Sequence, residues 1–187
     1  MTEVKIYPGM ITNEIEMFVV ENELKVIQGG KVSSFAELPY ATFQLLREAI
    51  EKDDNVLKHL HIMHPSSEYR RIEQFAKCRF GGLDFTGDIC SNAKNLQDGE
   101  YWDCPFRGNC ISEGVLCKMP KIGEERLTAV EIKLIQLSTT DKTNEVIADE
   151  LKLPLGSFHK QKKSIHEKLN IHTKQCLTKF AMAFNLI

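Results

Sequence analysis

Leu127-Thr128-Ala129-Val130-Glu131 opens the stretch on which the reading of this chain turns, and Leu153-Pro154-Leu155-Gly156-Ser157-Phe158-His159-Lys160-Gln161-Lys162-Lys163 carries it further. Thr128 with Glu131 three residues on is a capping box, so a helix is expected to begin there and to bury Ile132, Leu134, Ile135 and Leu137. A second short helix follows, with Val146, Ile147, Ala148 and Leu151 as its apolar positions. Leu153–Gly156 reads as a turn, and a third helix is expected from about Gly156 to Leu169. A fourth, from about Thr173, sets Cys176, Leu177, Phe180, Ala181 and Phe184 on one side, so Cys176 reads as a core position. Short helix, tight turn and lysine-rich helix is the helix-turn-helix order.

On the third helix, at roughly 100° per residue, Phe158, Ile165 and Leu169 share an arc of about 40° suited to a core. His159, Lys160 and Lys163 occupy another arc about 100° wide, free to enter a major groove about 12 Å across. Lys162 falls on the inward side, where its amine needs a partner or a route to water.

These residues resemble the LuxR/GerE-type helix-turn-helix of bacterial transcription regulators. Leu127-Thr128, Glu131 and Thr143-Asn144-Glu145-Val146-Ile147-Ala148 are similar to the family's opening pattern. Ser157-Phe158-His159-Lys160-Gln161, Ile165 and Lys168-Leu169 are similar to its closing one. The resemblance implies base-edge contacts from His159, Lys160 and Lys163, phosphate contacts from Ser157 and Lys168, double-stranded DNA as partner, and a homodimer through the C-terminal helix around Phe180–Phe184. Three positions depart from the pattern: Asp141 stands where the first turn has Gly, Pro154 where a serine caps the recognition helix, and His159 where Lys is usual. Loss of that cap costs about 1 kcal/mol, whereas Asp141 is a residue type that can still adopt a left-handed turn.

Charge agrees with this division. Of the 187 residues, 1–120 carry a net −5, 121–187 carry +3, and the last 37 carry +6, hidden in a formal total of −2. A local cationic excess suits a polyanion, whereas the acidic half limits non-specific DNA binding. A rival reading has the C-terminal domain dock on RNA polymerase or a sigma factor. No run reaches the roughly 18 apolar residues of a membrane span and the start has no apolar signal core, so a cytoplasmic protein without membrane partners is expected.

Upstream, Glu16–Ile27 reads as a hairpin about Glu21-Asn22-Glu23, closed by Gly29-Gly30. Helices are expected over Pro39–Lys52, Val56–Met63 and about Ser66–Cys78. The segment 79–120 has little periodicity, is rich in glycine, and holds Cys90, Cys104, Cys110 and Cys117. Ordering its backbone costs roughly 1–2 kcal/mol per residue, so an organiser other than a core of its own is expected. In a reducing compartment four thiolates point to structural zinc, with Cys78 competing as a ligand. An iron-sulfur cluster, which Cys104-Pro105 leans towards, would make the protein a redox-sensing regulator. His59, His61 and His64 invite a metal too, but only His61 and His64 share a helix face. Phosphate-loop, HExxH and nucleophile-elbow motifs are missing and no enzyme is expected; nor is there the repeated βα pattern of a receiver domain. The expected layout is an α+β N-terminal domain over 1–78, a cysteine lobe over 79–120, and an all-α four-helix domain over 121–187.

Overall fold

A computed structural model describes residues 6–90 and 95–187. The chain is mixed α+β and divides between Lys118 and Met119 into two compact units.

In the first unit, β1 (Glu16–Val20), β2 (Glu23–Gln28) and β3 (Lys31–Ser34) form an antiparallel meander in that order. The pairs Val20↔Glu23 and Gln28↔Lys31 leave two-residue turns. Positive φ at both Glu21 and Asn22, and at both Gly29 and Gly30, gives each turn the twist that suits adjacent strands. Gly29-Gly30 therefore does not end the sheet, as the sequence suggests, but reverses the chain into β3. Three helices follow: α1 (Tyr40–Glu51), α2 (Asp54–Met63) and α3 (Glu68–Arg79). Helix α2 starts ahead of Val56 because the Asp53 carboxylate accepts from the Asn55 and Val56 amides. Met17, Leu24, Val26, Leu46, Leu60, Ile72 and Phe75 meet in one core.

The glycine-rich segment belongs to this unit, which replaces the separate 79–120 lobe with one continuous core. Ile89 bridges antiparallel to Ile15 and to Leu96, and Phe80, Ile89 and Leu116 are buried in the shared core. Trp102 lies on Gly81 so closely that a Cβ there would collide with the indole. Arg79, at the end of α3, donates to the carbonyls of Asp98 (3.0 Å) and Val115 (3.3 Å). Much of the missing organiser is thus ordinary packing on α3.

In the second unit a two-residue ribbon, β4 (Lys121–Ile122) with β5 (Glu125–Arg126), precedes α4 (Ala129–Ser138), α5 (Asn144–Glu150), α6 (Leu155–Lys168) and α7 (Lys174–Ala183). The ribbon corrects the all-α expectation. The capping box at α4 is formed: Glu131 N–H donates to Thr128 Oγ1 (3.2 Å) and Thr128 N–H to Glu131 Oε2 (2.7 Å). Helix α4 packs on α5, α6 and α7, and α5 on α6. Their core holds Leu127, Ile132, Leu134, Ile135, Ile147, Ala148, Phe158, Ile165, Leu177 and Ala181.

Helices α5, α6 and α7 stop in one way. Lys152, Asn170 and Asn185 take positive φ, and the next amides, of Leu153, Ile171 and Leu186, bond back to Ala148, His166 and Ala181. These are Schellman endings without glycine. Asp141, where the resembled family has Gly, is not among the positive-φ residues, so the first turn needs no left-handed residue there. Among the described residues no helix is long and apolar enough to cross a membrane.

Candidate nucleic-acid interface and thiol region

Helix α6 has two faces. Phe158 and Ile165 are fully buried, whereas Ser157, His159, Lys160 and Lys163 are exposed. The helix begins at Leu155, one residue before the expected start, with Pro154 as its N-cap and no side-chain cap bond. Proline supplies a suitable φ there, and the Phe158 amide bonds to its carbonyl (3.0 Å). Lys163 lies 3.8 Å from Glu167, a weak pairing because both side chains are well exposed. Among the described residues Lys160 has no ion-pair partner.

The two remaining lysines of this helix face the domain itself. Lys162 finds the partner its inward position requires: its amine donates to Asn144 Oδ1 (2.8 Å) and lies 5.7 Å from the centre of the Phe158 ring. Lys168 is largely enclosed, bonded to Glu131 (3.2 Å) and the Arg126 carbonyl (3.0 Å), with Glu125 at 3.4 Å. It staples α6 to α4 and to the ribbon rather than presenting a free cation. Burial pushes the Glu131 carboxyl up, but the Thr128 amide and Lys168 outweigh it and hold it below its ordinary value.

Sequence reasoning placed Val146 and Cys176 inside; both are exposed. It missed Leu155, an exposed apolar side chain at the start of α6. On α7, Phe180 and Phe184 stack with ring centres 4.5 Å apart, and Met182 is exposed beside them.

In the first unit the Cys78 thiol, on the last turn of α3, packs against the core and accepts from Gln74 Nε2 (3.2 Å). Burial pushes it up to about 11, Gln74 opposes this, and the thiols that act on it most strongly are Cys117, Cys104 and Cys110. Cys104 is likewise raised, first by burial, with Arg107 opposing. The structure therefore brings Cys78 into electrostatic reach of Cys104, Cys110 and Cys117. Cys90 lies beside the Ile89 bridge, its amide directed at the Asn95 carbonyl (3.4 Å). No three described thiols have all their sulfurs within 4.8 Å of one another. A zinc tetrahedron with Zn–S of about 2.3 Å has sulfurs about 3.8 Å apart.

The histidines do not converge either. His59 Nδ1 meets Ser112 Oγ (3.0 Å), His64 Nε2 meets Gln74 Oε1 (3.4 Å), and His61 is exposed.

Nothing in the sequence pattern marks a cluster of carboxyl groups formed by buried Glu16 and half-buried Asp84 and Glu100, whose oxygens lie within 4.8 Å of one another. Glu16 accepts from the Asp84 amide (3.0 Å) and Glu100 from the Gly82 amide (2.6 Å), while nearby Asp88 accepts from the Met17 amide (2.7 Å). Burial first, and neighbouring carboxylates second, push Glu100 and Asp88 well above the carboxylate range; Glu16 rises chiefly by burial. Searches against known protein families, curated proteins and solved structures find no match for this chain.

Proposed function

We propose that the chain is a sequence-specific DNA-binding transcription regulator, with α5, the turn Leu151–Pro154 and α6 as its helix-turn-helix. One observation carries the reading. Of the four lysines on α6, Lys162 and Lys168 are held by the domain itself, while Lys160 and Lys163, together with His159, stay exposed on the face away from Phe158 and Ile165. A helix about 10–12 Å across fits a major groove about 12 Å wide. There His159, Lys160 and Lys163 supply donors to base edges and phosphates, and Ser157 a hydroxyl near the helix start. Lys168, expected as a phosphate ligand, bonds Glu131 and in this reading holds α6 on α4.

Selection from a random duplex library tests this. The full chain is expected to enrich one motif, and a Lys160→Ala/Lys163→Ala chain is expected to enrich none. Enrichment by neither protein, with RNA polymerase retained in the absence of DNA, would replace the reading with a polymerase-docking module.

A further inference from the structure

We propose that Cys78, Cys104, Cys110 and Cys117 are the four ligands of an iron-sulfur cluster, and that Cys90 is not a ligand. The site is independent of the DNA-binding reading and lies wholly in the first unit.

Three features of the fold carry it. First, Cys78 is set on the last turn of α3, and the segment bearing the other three sulfurs is tied to that same helix end. Arg79 binds the Val115 carbonyl, the Glu100 amide binds the Arg79 carbonyl (2.8 Å), and Leu116 enters the core beside Cys117. Second, Cys104 and Cys110 each open a turn. The Arg107 amide bonds to the Cys104 carbonyl (3.0 Å) and the Glu113 amide to the Cys110 carbonyl (3.1 Å). The two turns are strapped together by Arg107, 3.7 Å from Glu113 and 4.2 Å from the centre of the Tyr101 ring. Third, N–H groups are aimed at sulfur: the Gln74 amide at Cys78 (3.2 Å), the Gly114 backbone at Cys117 (3.4 Å), and the Phe106 backbone at Cys104. Such donors stabilise the thiolate form that binds metal and tune a cluster's potential.

Spacing chooses the class of metal centre. Cys104, Cys110 and Cys117 act electrostatically on Cys78, yet among the described residues no three thiols have all their sulfurs within 4.8 Å of one another. A single zinc ion would have to draw them together, whereas an iron-sulfur cubane holds its ligand sulfurs farther apart because each binds a different iron. Arg107 beside Cys104 places a cation against the negative charge that four thiolates bring. Cys104-Pro105 also fits, since proline often follows a cluster ligand.

The test is anaerobic preparation of the full-length chain, reconstituted with ferrous iron and sulfide and assayed for iron, acid-labile sulfide and zinc. The intact chain and Cys90→Ser are expected to hold about four irons and four sulfides each. Cys78→Ser is expected to lose most of both, and Cys104→Ser likewise, with Trp102 fluorescence on each variant reporting whether the unit still folds. Folded Cys78→Ser that retains the full cluster, or Cys90→Ser that loses it, overturns the ligand set. Zinc at one per chain that iron and sulfide do not replace, or no metal at all, overturns the cluster.

Discussion

The two units of this chain handle charge in opposite ways. The first buries Glu16, Asp88 and Arg79, together with the polar side chains of Thr42 and Ser112. The second buries one polar side chain of this kind among the described residues, Ser138, and keeps the lysines of α6 either bonded to its own polar groups, Asn144 for Lys162 and Glu131 for Lys168, or in solvent. A unit built the first way depends for its stability on the proton occupancy of its interior. A unit built the second way depends on packing and caps, so its charges remain available for a partner.

The sharpest way to break this contrast is pH. In the folded first unit Glu16 is raised from its ordinary 4.5 to about 8 by burial, with Glu100 and Asp88 raised beside it. The folded state then binds more protons than the unfolded one, so the stabilisation is complete below the unfolded value and is lost as pH rises through the folded one. Trp102 is the single tryptophan and is buried in this unit, so its fluorescence follows this unit alone. Its melting temperature is expected to fall steadily from about pH 6 to about pH 9, and Glu16→Gln to flatten that fall. A wild-type profile that is level or rising would refute the protonated interior.

The second unit is expected to respond in the other direction. Glu131 is held below its ordinary value, so its stabilisation is present above the unfolded value and is lost as acid protonates it. Here packing dominates: Phe158→Ala is expected to cost about 3–5 kcal/mol and to abolish the helical transition of this unit seen by circular dichroism. The Trp102 transition should be unmoved. Thr128→Ala, which breaks the capping box, is expected to cost about 1 kcal/mol in the same assay. The smallest expected effect is a gain. Lys152 is left-handed at the end of α5, and Lys152→Gly relieves that strain, for a net stabilisation of about 0.5 kcal/mol in urea titration.

The contrast also explains what could be read along the chain. Three of the four helices of the second unit were legible because Thr128, Thr143 and Thr173 each cap an apolar run of helical period, and α6 by the period of Phe158, Ile165 and Leu169 alone. The ribbon was not, since two-residue strands have no alternation to detect. Cys176 and Val146 were misplaced because both fall in the first turn of a helix, where apolar periodicity does not decide which side faces the core. In the first unit, spacing between cysteines does not show that Cys78, on the last turn of α3, comes within electrostatic reach of Cys104, Cys110 and Cys117. Glu16 was illegible for a simpler reason. A glutamate at the start of a strand ordinarily reads as surface, and the residues that lie against this one, Asp84 and Glu100, are far along the chain.

If exposed Lys160 and Lys163 of α6 meet DNA phosphates, as proposed, affinity depends on salt. Affinity of the full chain for its selected duplex is measured between about 50 and 200 mM salt, alongside Lys160→Ala/Lys163→Ala. Wild-type affinity is expected to fall steeply with salt, and the double variant to bind at least about tenfold more weakly with a log–log slope shallower by about two. Equal affinity and equal slope for the two proteins would contradict that contact.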